Sequence, residues 1–134
     1  MTAYVDSSAL LKRYLIEPDS KLGQSLLDED VDLVTSRITI VEVRRALGLL
    51  ASAVERVLTR ANFAHDLESI SIVEVDALVC ADAASIAEET GLRSLDSIHV
   101  ASARRISDVD ITFITFDVRQ AAVARSLGLT VLGA

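Results

Sequence analysis

The sequence has few of the residues that build covalent cross-links or soft-metal sites: one cysteine, two histidines and no tryptophan among 134 residues. Because Cys80 is alone, no disulfide can form within the chain, and a zinc cluster of thiolates and imidazoles cannot be assembled. Any bound metal must therefore be held by oxygen. No run of about 18 apolar residues occurs, so we expect a soluble, cytoplasmic protein without a membrane span.

Aromatic residues make up 4% of the chain, whereas hydrophobic residues make up 51%. This composition favours helices packed on a sheet over an aromatic platform for stacked RNA bases. One proline and no low-complexity run argue against a linker, so we expect a single compact domain over residues 1–134. The net charge of −7 speaks against a general attraction to polyanions, although eleven of the thirteen basic residues are arginine.

Short β-prone runs alternate with segments of helical periodicity along the whole chain. We predict strands at about 2–5, 31–35, 70–75, 111–115 and 129–132. Helices are predicted between them, with a break near 48–52, an N-cap at Asp76, a stop at Gly91, and a further N-cap at Ser94. Strands alternating with helices predict an α/β fold, a three-layer α/β/α sandwich with a mainly parallel central sheet.

Four acids each follow a hydrophobic residue: Asp6, Glu42, Asp96 and Asp117. Asp6 and Asp117 end predicted strands, and ligands of open α/β sheets bind outside the carboxyl ends of strands. The acids can converge only if these two strands are neighbours in the sheet, which spacing alone does not fix.

Each acid also has a structural explanation. Asp6 and Asp117 suit helix N-caps, and Asp96 in a first helical turn suits the helix dipole. Glu42 fits a capping box begun by Thr39. Yet Glu42 lies in a nearly continuous apolar segment, where a carboxylate is costly without a partner, and Arg45 one turn later is a candidate for that partner.

Converging carboxylates repel one another and would bind a hard divalent cation, Mg²⁺ or Mn²⁺, through oxygen. Such a site suits hydrolysis of a phosphodiester, because a metal ion generates the nucleophile and stabilises the transition state. The pattern of acids therefore favours a metal-dependent hydrolase over a protein in which these acids have only structural roles.

Four segments, taken as a set, resemble those of a known family. They are Val5-Asp6-Ser7-Ser8-Ala9-Leu10-Leu11-Lys12, Glu42 after Ser36-Arg37-Ile38-Thr39, the stretch from Leu92 to Ala101, and Ile114-Thr115-Phe116-Asp117. Their order and spacing resemble the PIN-domain family, and the nearest branch is similar to the VapC-type ribonuclease toxins of toxin–antitoxin pairs.

This resemblance implies a metal-dependent endoribonuclease whose catalytic acids are Asp6, Glu42, Asp96 and Asp117, with the three aspartates as metal ligands. It also implies that the first strand and the strand ending at Thr115 are neighbours. A homodimer and a VapB-type antitoxin are the implied partners, the antitoxin tail entering the acidic groove.

Several further residues are candidates for supporting roles. By the same resemblance Thr115 lies near the metal, and Ser7 either touches the metal shell or caps the first helix. Arg93, Arg13 and Arg119 flank the acids and either hold RNA phosphates or balance an acidic rim. We interpret His99 as a packing residue.

Three other functions are alternatives to this one. A phosphoacceptor receiver domain needs paired acids near the first strand and a late lysine, whereas the only lysines are Lys12 and Lys21. A dinucleotide-binding module needs a Gly-x-Gly-x-x-Gly turn that is absent. A catalytically inactive PIN-like module that binds RNA or a partner remains the alternative, and the presence of all four acids favours the enzyme.

Overall fold

The computed structural model describes residues 2–28, 31–106 and 110–134. Its strands are β1 (Thr2–Val5), β2 (Asp32–Ser36), β3 (Ser71–Val73), β4 (Ile111–Thr115) and β5 (Thr130–Gly133). Its helices are α1 (Ser7–Leu10), α2 (Ser20–Asp28), α3 (Arg37–Gly48), α4 (Ala53–Leu67), α5 (Ala77–Thr90), α6 (Ser94–Arg105) and α7 (Val118–Ser126). None of these helices has the length and apolar content needed to cross a membrane.

The strands form one parallel sheet in the order β3-β2-β1-β4-β5. Successive side chains of the central strand β1 point to opposite faces: Tyr4 packs in one core with α5 and α6, whereas Ala3 and Val5 pack in a second core with α1 and α3. Helices therefore cover both faces, and the predicted three-layer α/β/α sandwich is confirmed. All five carboxyl ends meet at one edge of the sheet, and β1 lies at its centre.

Most predicted boundaries agree with the structure. The strand at 111–115 is confirmed, and the predicted break after Gly48 separates α3 from α4. Asp76 caps α5 by accepting the Val79 N–H at 2.9 Å, and Gly91 ends it with φ of 72°. The predicted cap at Ser94 is wrong: the N-cap position of α6 is Arg93, and Ser94 is the first helical residue.

Two helices differ from their predicted form. The spacing of Leu10, Leu11, Tyr14 and Leu15 predicts a first helix that continues to Glu17-Pro18. The helix α1 instead has a single turn and tightens into a 3₁₀ turn at Leu11–Arg13. In α4 the apolar residues Val54 and Val57 are two-thirds exposed, while Phe63 is the residue buried in the core. The periodicity of α4 thus predicted a helix but did not identify its buried face.

Gly133 packs directly against the backbone of Thr115, at the end of β4. Its φ is 106°, and a β-carbon added there would collide with the Thr115 carbonyl oxygen. Gly128 also has a positive φ of 88°, but a β-carbon there would meet open space. Replacing each glycine by alanine therefore distinguishes the cost of a positive φ from the cost of a steric collision.

We expect Gly133→Ala to destabilise the fold more than Gly128→Ala in urea unfolding. Positive φ alone costs an alanine about 1–2 kcal/mol, and the collision at Gly133 adds roughly 1–3 kcal/mol. Equal losses for the two variants would show that the chain end moves away freely and that β5 is not fixed against Thr115.

Candidate active site at the carboxyl edge of the sheet

Two of the four predicted acids follow neighbouring strands. Asp6 comes directly after β1, and Asp117 comes two residues after β4. These strands pair in parallel with Val5 opposite Ile114, and the Asp6 N–H donates to the Ile114 carbonyl at 3.2 Å. The adjacency on which convergence of the two aspartates depends is therefore present.

Asp6 is buried, with 2% of its surface exposed. Its carboxylate accepts hydrogen bonds from the Ala9 N–H at 2.9 Å, the Thr115 hydroxyl at 2.6 Å and the Ser8 hydroxyl at 2.8 Å. The first of these bonds caps α1, which confirms the predicted capping role of Asp6. Burial raises the pKa of Asp6 above its usual range, an effect that the three hydrogen-bond donors oppose. Loss of water is thus the main cause of the shift.

Arg93 joins two other acids of the predicted quartet. Its Nε lies 2.9 Å from Asp96 Oδ2 and its Nη2 lies 3.1 Å from Asp117 Oδ2. Asp96 sits in the first turn of α6, and Asp117 caps α7 by accepting the Gln120 N–H at 2.8 Å. The two carboxylates raise the pKa of Arg93, so its guanidinium remains a cation between them. Because 70% of the Arg93 side chain is exposed, it can leave at little cost.

The partner of Glu42 is a buried histidine. Glu42 lies in the second turn of α3, and its Oε1 is 2.6 Å from His99 Nε2. The proposed pairing with Arg45 is therefore wrong, because α6 brings His99 to the buried side of the glutamate. With 22% of its side chain exposed, Glu42 still reaches the surface.

The capping-box interpretation of Glu42 is also wrong. Ser36 caps α3 by accepting the Ile38 N–H at 3.2 Å, so the helix starts before Thr39. The Thr39 hydroxyl is buried and lies 2.7 Å from that of Thr35. Glu42 consequently has no capping role, and its position in an apolar segment is explained by His99.

Hydrogen bonds connect the three aspartates, and a shared cavity links Glu42 to Asp96. The Thr115 hydroxyl that donates to Asp6 also accepts the Asp117 N–H at 3.1 Å. The Gln120 side chain donates to the Asp96 carbonyl at 3.1 Å. Asp96 and Glu42 line a shared open cavity of about 310 Å³, whose other lining residues are Arg93, Ser94 and Leu95.

Within the described part of the chain, no three acidic, histidine or cysteine side chains are arranged to hold one metal ion. The chemistry of the donors nevertheless fits Mg²⁺ or Mn²⁺, since Asp6, Asp96 and Asp117 offer only carboxylate oxygens. The gap between Asp96 and Asp117 also already accommodates a cation, the Arg93 guanidinium. A divalent ion bound in that gap would replace Arg93.

The hydroxyl groups near Asp6 differ in part from those predicted. Thr115 is fully buried and donates to Asp6. The serine that donates to Asp6 is Ser8, not Ser7, and the Ser8 hydroxyl also accepts the Phe116 N–H at 3.0 Å. Capping of α1, the other role considered for Ser7, is performed by Asp6.

The three predicted arginines lie in different surroundings. Arg93 contacts two acids, as described. Arg13 instead donates to the Leu27 carbonyl at 3.1 Å and lies 3.9 Å from Asp66, so its partners are outside the quartet. Arg119 is exposed in the first turn of α7.

Sequence reasoning missed two buried polar residues of this region, His99 as a partner of Glu42 and Gln120. Both are almost without exposed surface. A signal was present for each: His99 stands between Ile98 and Val100, and Gln120 precedes a buried alanine pattern in α7. A polar group in apolar surroundings needs a partner, and this holds for both residues as it does for Glu42.

Comparison with known proteins identifies the family. The sequence profile of the PIN domain matches residues 3–126, from β1 through α7, and so includes all four acids. The chain belongs to the PIN domain family. Ribonuclease VapC35 of Mycobacterium tuberculosis is 33% identical to this PIN domain over 96% of the chain and 94% of its own length. The resemblance stated from the sequence is therefore confirmed.

Solved structures support the fold of this PIN domain. FitAcB from Neisseria gonorrhoeae superposes with a TM-score of 0.77 at 22% identity, covering 96% of this chain and 95% of that one. A toxin–antitoxin complex from Klebsiella pneumoniae gives a TM-score of 0.69 at 18% identity, with 90% of each chain covered. At these identities the likeness shows the shared three-layer architecture.

Proposed function

We propose that this PIN domain is a VapC-type endoribonuclease toxin that hydrolyses RNA phosphodiester bonds with Mg²⁺ or Mn²⁺. The observation that carries the proposal is the connected set of Asp6, Glu42, Asp96 and Asp117 at the carboxyl edge of the sheet. Similarity to a protein named ribonuclease VapC35 supports the choice of RNA as substrate.

In this proposal the three aspartates hold the ion. When bound, the divalent cation supplies positive charge that stabilises the negative charge developing on the phosphate. The Thr115 hydroxyl keeps Asp6 in place, and the caps of α1 and α7 fix the backbones of Asp6 and Asp117. Glu42 lines the cavity and accepts a proton from the attacking water.

If an ion took the place of Arg93 between the two carboxylates, the Arg93 side chain would be free to contact an RNA phosphate beside the cavity that it lines. We expect Arg93→Ala to raise KM for RNA roughly 5- to 10-fold and to lower the salt slope of log KM by about one unit, as for one lost phosphate contact. The fold should be retained, since the Arg93 side chain is mostly exposed.

The matched control for this variant is Arg104→Ala. Arg104 also pairs with an acid through its Nε, which lies 3.4 Å from Asp82, but neither residue lines the cavity. Steady-state cleavage should be measured over a range of NaCl concentrations. If the KM of Arg93→Ala and its salt slope equal those of Arg104→Ala, Arg93 has no part in binding RNA.

We further propose that a VapB-type antitoxin inhibits this chain and that the chain forms a homodimer. The likeness to FitAcB and to a toxin–antitoxin complex supports an antitoxin partner. The net charge of −7 is complementary to a basic inhibitory tail.

The test of the function is cleavage of total cellular RNA by the purified, partner-free chain, resolved on a gel with Mg²⁺ or Mn²⁺ and with EDTA. We expect fragments that depend on metal and vanish in Asp96→Asn, while Asp82→Asn, an acid paired outside the cavity, cleaves normally. Absence of cleavage despite metal binding would favour the inactive binding module. Cleavage by Asp96→Asn would contradict the proposed site.

A further inference from the structure

A chain of three side chains runs from the core to Glu42. Tyr4 of β1, His99 of α6 and Glu42 of α3 come from three separate elements. The Tyr4 hydroxyl lies 2.7 Å from His99 Nδ1, and His99 Nε2 lies 2.6 Å from Glu42 Oε1. Both imidazole nitrogens are therefore used, one toward the core and one toward the site.

The core end of this chain is held rigidly. Tyr4 has no exposed surface, stacks on Phe113 with ring centroids 5.3 Å apart and meets the edge of His99. The phenol of Tyr4 is a hydrogen-bond donor, and its oxygen lies within hydrogen-bond distance of His99 Nδ1. A neutral imidazole then accepts at Nδ1 from Tyr4 and donates its Nε2–H to the glutamate.

The other end of this chain of side chains, Glu42, is partly exposed. The carboxylate of Glu42 reaches the open cavity on a flexible side chain, and among the described residues His99 is its hydrogen-bond partner. The same helix α6 carries Asp96 one turn before His99. Helix α6 thus carries Asp96 itself and holds Glu42 of α3 through His99. One helix therefore positions two acids that come from different elements.

We propose that His99, oriented by Tyr4, is a positioning residue that fixes the Glu42 carboxylate for proton transfer during RNA cleavage. This inference rests on the proposed nuclease function. The donor that matters is Nε2–H, since Nδ1 is engaged by Tyr4 on the side away from the site.

Glutamine and asparagine at position 99 each replace one of the two imidazole nitrogens by an amide group, so the two variants test the two nitrogens separately. In His99→Gln the side-chain amide nitrogen takes the place of Nε2 and can still donate to Glu42. In His99→Asn the amide is one carbon shorter, so it reaches toward Tyr4 but not toward Glu42. We expect kcat of His99→Asn to fall about 10- to 100-fold, the usual effect of a residue that orients a ligand-binding or catalytic group. His99→Gln should recover most of that loss, with KM and the Mn²⁺ dissociation constant nearly unchanged in both.

Tyr4→Phe and Val100→Ala complete the set. Tyr4→Phe removes only the hydroxyl and should lower kcat by several-fold with KM unchanged. Val100→Ala opens a space in the same buried stretch of α6 and should lower the melting temperature without changing kcat. Nitrogen-15 NMR of the wild type should show the Nε2–H tautomer of His99.

The possible results distinguish failure of the positioning role from failure of the nuclease function. If wild-type cleavage is robust and His99→Asn and His99→Gln have equal kcat, the positioning role is overturned while the nuclease stands. A Nδ1–H tautomer would likewise overturn the assigned donor. If the wild type does not cleave RNA, the proposed function and this inference both fail.

Discussion

Replacement of Asp6 by asparagine is expected to stabilise the metal-free protein while lowering RNA cleavage by at least about 100-fold, the loss typical of removing one electrostatic group from an active site. The reason lies in burial, since the Asp6 carboxylate has lost nearly all contact with water. An asparagine keeps the oxygen that caps α1 at Ala9, and the Ser8 and Thr115 hydroxyls can turn to accept from its amide.

The sign of the stability change follows from the raised pKa of Asp6. Because the folded protein holds this proton more tightly than the unfolded chain does, ionisation of Asp6 weakens the fold. The loss begins as pH rises through the ordinary aspartate range and is complete above the folded pKa. At neutral pH in EDTA, Asp6→Asn should therefore unfold at a temperature a few degrees higher, a gain on the order of 1 kcal/mol. The difference should shrink as the pH is lowered toward the ordinary aspartate pKa.

In the presence of a metal ion, the wild type should become more stable than Asp6→Asn. An ion at a hundred times its dissociation constant stabilises the protein that binds it by about 2.7 kcal/mol. Differential scanning fluorimetry with Mn²⁺ should accordingly raise the melting temperature of the wild type and leave Asp6→Asn unchanged. Equal Mn²⁺ shifts for the two proteins would exclude Asp6 as a ligand, and a less stable Asp6→Asn variant in EDTA would show that its capping contacts outweigh burial of the charge.

Replacement of Thr115 by valine should weaken Mn²⁺ binding about 10- to 100-fold. The Thr115 hydroxyl donates to Asp6 and accepts the Asp117 N–H, so its loss frees two predicted ligands at once. Valine has almost the same shape, and the expected cost in unfolding free energy is about 1–3 kcal/mol for the polar groups left unpaired.

Thr115→Ser is the matched control, because it keeps the hydroxyl and removes only a methyl group. Isothermal titration with Mn²⁺ should give it an affinity within a few-fold of the wild type. If Thr115→Val binds Mn²⁺ as tightly as Thr115→Ser, the hydroxyl does not organise the metal ligands, and its contacts serve stability alone.

The sequence predicted those parts of the protein that depend on short stretches of chain. The run from Ile111 to Thr115 is β-branched and alternating, so its strand was recognisable, and Asp76 and Gly91 mark the two ends of α5 by their own conformational preferences. The acids at strand ends were found in the same way. Each of these inferences uses physics that acts within a few residues.

The partners inside the site could not be predicted, because packing between distant segments decides them. Glu42 and His99 are 57 positions apart, and Asp6 and Thr115 are 109 positions apart. Arg45 was a plausible partner of Glu42 by helical spacing, yet α6 supplies a buried donor that helical spacing cannot reveal. Likewise the apolar periodicity of α4 predicted a helix but did not show which face of that helix is buried.

Arg93 gives the site a counterion that is tethered to the protein. An ion that leaves the gap between Asp96 and Asp117 can be replaced by a guanidinium from the first residue before α6, so the two carboxylates need not face each other bare. Binding of a divalent ion in the gap would then be an exchange of cations. It would raise the charge in the gap by about one unit, whereas binding to a gap without Arg93 would raise it by two. If the proposed metal site is correct, the protein is expected to lose and regain an ion repeatedly without unfolding.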